Sequence, residues 1–156
     1  MSNTTRPSVT IYTDGSCLGN GKQDSYGGWA AILTYKNIEK ILRGRQAGAK
    51  NNQMELTAAI EGIRALKQPC RVTIVTDSQY VCRCFSSISE WRQNNWRTKA
   101  KAVPANLDLL KELVDVGTTG QHEFRFQYVA GHSGHTYNER CDKIAREQAM
   151  KAKRGE

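Results

Sequence analysis

Apolar residues fall along this chain in two rhythms. Val9-Thr10-Ile11-Tyr12-Thr13 and Val72-Thr73-Ile74-Val75-Thr76 are continuous β-branched or aromatic runs, the pattern of strands buried on both faces. Trp29 to Tyr35 predicts another strand, and Asn37 a turn into a third over Ile38 to Arg45. Three short strands in succession imply an antiparallel meander. Between Asn52 and Lys67 the rhythm changes: Leu56, Ala59, Ile60, Ile63 and Leu66 keep the spacing of one buried helical face. Asn51 or Asn52 can cap that helix, Glu55 stands in capping-box position, and Pro69 ends it. Ser78 to Ile88 and Asn106 to Val116 read as helices, the latter capped at Asn106, and Phe124 to Val129 as the last strand. Thr136 with Glu139 forms a second capping box, opening a helix to about Ala152 with Cys141, Ile144, Ala145 and Ala149 inward. Leu18 to Gly28, Gln46 to Asn51, Gly117 to Gly120 and Gly131 to Tyr137 read as loops, and residues 1–8 and 151–156 as frayed ends.

This order predicts an α/β layer fold with a mixed sheet. A right-handed crossover makes the first and fourth strands parallel neighbours. Each of the two runs straight into an acid, Asp14 and Asp77, so the two carboxylates meet at the kind of sheet edge where α/β folds bind ligands. Gly15 behind Asp14 would let the backbone come close to a ligand.

Composition narrows the partner. The 156 residues suit one domain, 1–156, with a core that needs no staples. Lys and Arg number 23 against 15 Asp and Glu, a formal charge of +8, which is common among binders of polyanions. No apolar run is long enough to span a membrane, and Met1 to Arg6 lacks the apolar core of a signal peptide. The five cysteines are odd in number and not framework-spaced, so they read as reduced structural thiols of a cytoplasmic protein.

Two acids at neighbouring strand ends repel, and one pKa must rise or a cation must intervene. Glu55 and Asp142 flank buried helical faces and can join them. Each acid alone is also explained as a turn or helix-terminus residue. Together they offer hard oxygen donors suited to Mg²⁺ or Mn²⁺, enough to bridge two ions. Two such ions about 4 Å apart serve in-line phosphodiester displacement.

The runs Thr13-Asp14-Gly15-Ser16-Cys17-Leu18-Gly19-Asn20, Asn51-Asn52-Gln53-Met54-Glu55-Leu56, Thr76-Asp77-Ser78-Gln79-Tyr80-Val81 and Gly131-His132-Ser133-Gly134-His135, with Asn138-Glu139-Arg140-Cys141-Asp142 following, closely resemble the type 1 ribonucleases H of bacteria. The resemblance covers nearly the whole chain in order and spacing. It implies a three-layer fold, a five-stranded mixed sheet with helices on both faces. It implies cleavage of the RNA strand of RNA/DNA hybrids, leaving a 5′-phosphate and a 3′-hydroxyl, with two Mg²⁺ ions for which Mn²⁺ can substitute; a monomer is expected because no apolar surface stripe stands out. By the same resemblance Asp14, Glu55, Asp77 and Asp142 are the metal-binding catalytic acids. His132 is the auxiliary histidine that assists proton transfer or product departure, and His135 a loop-ordering residue.

The resemblance further implies that Asn20, Asn51, Asn52 and Gln79 read the minor groove, where amides can both donate to and accept from 2′-hydroxyls. Asn138 belongs with these contacts. Trp91, Arg92, Trp96, Arg97 and Lys99 match the basic protrusion that grips the DNA strand, although one tryptophan, Trp91 first, can equally anchor a helical hairpin. The chain departs from the family in three places. Arg92-Gln93-Asn94-Asn95 is less basic than expected, Lys50 replaces a threonine, and Gly21 to Tyr26 makes a longer loop than the usual proline-glycine turn. A non-catalytic hybrid-binding module would have eroded acids, and all four are present. A transposase core would carry DNA-binding segments for which there is no room. A phosphatase with a strand-end nucleophile would want a second Asp at position 16, which is Ser.

Overall fold

The computed structural model describes residues 6–19, 24–131 and 133–156. In chain order the elements are β1 (Ser8–Leu18), β2 (Tyr26–Tyr35), β3 (Ile38–Ala47), α1 (Asn51–Arg64), β4 (Arg71–Thr76), α2 (Gln79–Gln93), α3 (Leu107–Thr119), β5 (Glu123–Tyr128) and α4 (Thr136–Lys153). The strands form one sheet in the order β3-β2-β1-β4-β5. The β1–β2 and β2–β3 pairs are antiparallel, the β1–β4 and β4–β5 pairs parallel. This is the mixed five-stranded sheet expected from the element order, with the meander first and the crossovers after it.

Side-chain alternation along the strands builds two cores. Val9 and Ile11 of β1, with Ala31 and Leu33 of β2, face α1, where Leu56, Ala59, Ile60 and Ile63 meet them. Leu110 and Leu113 of α3 and Val81 and Cys84 of α2 extend that core. The intervening residues Ala30 and Ile32 face the opposite way, onto Cys141 and Ala145 of α4, with Tyr12 beside them. Three layers result, with helices on both faces. The α4 layer lies close because Gly28 has no side chain: a Cβ there would overlap the Ala145 carbonyl oxygen and lie 2.5 Å from the Ala149 nitrogen.

Several boundaries differ from the sequence expectation. β1, expected to run to about Cys17, ends at Leu18, paired with β2 as far back as Tyr26, so part of the expected Leu18–Gly28 loop is strand. Gly27 and Gly28 look like loop residues in the sequence. They are buried strand positions because Met54 and α4 fill the space their side chains would take. Neither Asn51 nor Asn52 caps α1. Lys50 occupies that position, and its N–H donates to Gln53 Oε1 at 2.8 Å, which leaves Glu55 out of any capping role. α4 is capped by His135, whose Nδ1 accepts from the Asn138 N–H, rather than by Thr136 with Glu139. Asn106 does precede α3, but with φ 62° and no cap bond; its amide donates to the Tyr80 hydroxyl instead. α2 runs on to Gln93 and α3 through Gly117 to Thr119. Gly117 is buried there, and a Cβ would lie 2.9 Å from the Phe124 ring.

The ends are better tied than their composition implies. The Arg71 N–H donates to Pro7 O at 2.8 Å, and Arg6 pairs with Glu123 at 2.9 Å. At the other end Arg45 Nε donates to Glu156 O at 2.8 Å.

Candidate active site

Parallel pairing between β1 and β4 ends with Thr13 opposite Thr76. The next residues, Asp14 and Asp77, therefore emerge side by side, although only Asp77 follows a strand end. Glu55 reaches them from the first turns of α1. It can do so because Gly15 has no side chain: a Cβ would overlap the Glu55 nitrogen and lie 2.6 Å from the Met54 carbonyl carbon. The close approach that Gly15 permits in this structure is to α1. Its N–H donates to both acids, to Glu55 Oε1 at 2.6 Å and Asp14 Oδ1 at 2.9 Å.

One carboxylate oxygen from each of Asp14, Glu55 and Asp77 lies within 4.8 Å of the other two. Asp14 and Glu55 are each 3% exposed. One oxygen of each, Asp14 Oδ2 and Glu55 Oε2, is buried with no hydrogen-bond partner, a situation that native structures seldom tolerate without explanation. Burial pushes the Asp14 carboxyl up, and the charges of Glu55, Asp77 and Asp142 push it further. Burial likewise raises Glu55, helped by the charge of Asp77 and opposed by the Gly15 N–H that donates to it. Partnerless oxygens, hard donors and mutual repulsion are all relieved by a divalent cation. The residues fit such an ion.

Asp142 stands apart from the trio. It lies on α4, partly exposed, with Oδ2 2.9 Å from Arg146 Nη2. Its charge nonetheless reaches Asp14. Asn138, expected at the nucleic-acid surface, is 3% exposed, and its Nδ2 donates to Asp77 Oδ2 at 3.4 Å. Sequence reading missed this role, as it missed Gly131, where a Cβ would lie 3.0 Å from Asp77 Oδ2. The available signal was an asparagine one helical turn before Asp142, on the face that also carries Cys141. His132 and Asn20 lie outside the described residues.

Along the same edge Asn51 is partly buried at the start of α1, while Asn52 and Gln79 are exposed on the first turns of α1 and α2. Both Trp91 and Trp96 are partly buried against the α1–α2–α3 core, so both rings are anchored. Arg92, Arg97 and Lys99 are exposed around them. The stretch after α2 turns tightly, with left-handed backbone at Asn95, Trp96 and Lys101, and the Trp96 N–H donates to Trp91 O at 2.6 Å. An apolar cavity of about 360 Å³ between α2, α3 and β5 shares no residue with the acids. No helix among the described residues is long and apolar enough to cross a membrane.

The RNase H family model matches residues 6–150. A ribonuclease H of Caldicellulosiruptor saccharolyticus is 46% identical over 140 residues, 88% of this chain and 93% of that protein. One from Thermus thermophilus is 44% identical over 152 residues, 96% and 89% of the two chains. Among solved structures, a type 1 RNase H described as having the type 2 active-site motif superposes with a TM-score of 0.84. It is 29% identical, over 96% of this chain and 75% of that one. A family match across nearly the whole length, relatives this similar and a buried acidic trio at the sheet edge agree: the chain belongs to the ribonuclease H family.

Proposed function

We propose that the protein hydrolyses the RNA strand of RNA/DNA hybrids, leaving a 5′-phosphate and a 3′-hydroxyl, with Mg²⁺ held by Asp14, Glu55 and Asp77 and a second ion shared with Asp142. The observation that carries this reading is the trio of carboxylates within 4.8 Å, two of them with partnerless buried oxygens. Bound there, the ions would supply Lewis acidity to the phosphodiester and favour ionisation of the attacking water. Gly15 and Asn138 hold the acids in place, and Arg146 restrains Asp142. His132 assists proton transfer or product departure, a task suited to a side chain that titrates near neutrality.

The hybrid lies across the open edge rather than in a pocket. Asn20, Asn51, Asn52 and Gln79 read the minor groove. Arg92, Arg97 and Lys99 contact the phosphates of the DNA strand, with Trp96 and Trp91 as the aromatic platform between them. Exposed cations beside anchored rings favour this placement. The protein acts as a monomer in the cytoplasm, a compartment with which its free cysteines accord. The test is cleavage of a strand-labelled hybrid in Mg²⁺, beside duplex RNA, duplex DNA and an Asp77→Asn control. Cutting of the RNA strand of the hybrid alone, abolished by chelator and by the substitution, is the expected result. Binding without cutting in both Mg²⁺ and Mn²⁺ would leave only a hybrid-binding module.

A further inference from the structure

The first turn of α4 is tied to the sheet by a cluster that touches none of the acids. Tyr12 of β1 and Tyr137 of α4 stack, with ring centroids 4.4 Å apart and planes 12° from parallel. The Tyr137 hydroxyl donates to Glu39 Oε1 at 2.9 Å, and Arg140 grips both oxygens of Glu39, at 3.1 and 3.0 Å. The Arg140 guanidinium also lies 5.3 Å from the Tyr137 ring centroid. An isolated exposed ion pair contributes little. This one is bidentate and joined to a ring stack, so it sets where the helix begins as well as holding it down.

One hydrogen bond inside that turn and one leaving it connect the turn to the acidic trio. His135, 5.7 Å from the Tyr12 ring, accepts the Asn138 N–H at Nδ1, and the buried Asn138 side chain donates to Asp77 Oδ2 at 3.4 Å. The latter bond is long for a hydrogen bond. A small shift of the first turn of α4 would break it and release Asp77 from its orientation toward Asp14 and Glu55.

We propose that Tyr12, Tyr137, Glu39 and Arg140 form a positioning device that holds the first turn of α4 so that Asn138 keeps Asp77 aligned with the other two acids. None of the four is a catalytic residue. The inference rests on the metal site proposed above and deepens it, since ligand-orienting partners outside a metal site commonly govern its affinity.

The test compares Glu39→Ala and Tyr137→Ala with Arg64→Ala in the full chain. Arg64 pairs with Glu61 and Glu112 at the opposite end of α1 from Glu55, so its removal lowers stability without touching the acids. Calorimetric titration with Mg²⁺ in the absence of nucleic acid is the primary readout. Amide hydrogen exchange over residues 133–140 and steady-state cleavage accompany it. Expected are about tenfold weaker Mg²⁺ binding in both cluster variants, faster exchange over that segment, and a fall in kcat with little change in KM. Tyr137→Phe, which keeps the stack and removes the hydroxyl, falls between. Arg64→Ala lowers Tm and binds Mg²⁺ like the unsubstituted chain. If the cluster variants lower only Tm, as Arg64→Ala does, the cluster is structural and the inference fails while the metal site stands. If the unsubstituted chain binds no Mg²⁺, the metal site fails first and the inference with it.

Discussion

Asp14 and Glu55, brought together from β1 and α1, accept the same hydrogen bond: the Gly15 N–H donates at 2.9 Å to one and 2.6 Å to the other. The separation of the two carboxylates is therefore set by one backbone amide and by how closely α1 can sit on β1.

Gly15→Ala tests that close approach. The new Cβ would overlap the Glu55 nitrogen, and since the obstruction is backbone, α1 must move. Expected is a drop of about 1–3 kcal/mol in unfolding free energy, with cleavage falling further than stability alone explains. Urea unfolding and a single-turnover assay measure the two. A variant as stable and as active as the parent would show that α1 has room to spare.

Metal binding and pH are linked through the same pair. Both carboxyls are raised in the folded chain, chiefly by burial. The metal-free folded state therefore holds protons that the unfolded chain releases near the ordinary carboxylate pKa of about 4. The pair's contribution to stability is fully present below that pH and is lost as pH rises toward the raised values. A cation must displace the same protons, so its binding tightens with pH. The Tm gain at fixed Mg²⁺ should grow between about pH 5 and pH 8, with proton release visible as buffer-dependent binding heats. An equal gain at both ends of that range would remove the pair from the metal site.

Substitutions rank the catalytic roles. Asp14→Asn and Asp77→Asn should abolish cleavage, because each removes a charged ligand from the trio. His132→Ala should slow it without abolishing it, by about a hundredfold, the lower end of what one proton-transfer group contributes. Single-turnover rates on one hybrid give the comparison. Equal reductions in all three would contradict the assignment.

Hybrid binding should weaken as salt rises. In an Asp77→Asn background, replacing Arg92, Arg97 or Lys99 with Ala should lower affinity evenly across sequences. Each should reduce the slope of log affinity against log salt by about 1 for every phosphate the side chain had neutralised. An unchanged slope would place that residue off the binding path.

Much of the fold was legible because its strands and helices carry strong local signals. The β-branched runs at Val9–Thr13 and Val72–Thr76 became adjacent parallel strands, and the spacing of Leu56, Ala59, Ile60 and Ile63 became the buried face of α1. The errors fell where a distant element supplied the missing partner. Gly27 and Gly28 sit in β2 because Met54 and α4 fill their space, and α3 runs through Gly117 because Phe124 packs there. Gln53 rather than Asn52 closes the start of α1, a choice among nearby polar side chains that spacing alone does not resolve.

The site divides in the same way. Periodicity and strand order alone determined that Asp14 and Asp77 would be neighbours, because a right-handed crossover between two parallel strands leaves few arrangements. The resemblance supplied the roles of Glu55 and Asp142. Tertiary structure decided what each acid touches. Glu55 is a buried partner of Asp14 because a glycine lets two backbones meet, and Asn138 turns inward onto Asp77. Local patterns are written by nearest neighbours in the chain. A carboxylate's burial, partners and proton affinity depend on side chains dozens of residues away, and only packing brings those to within hydrogen-bond reach.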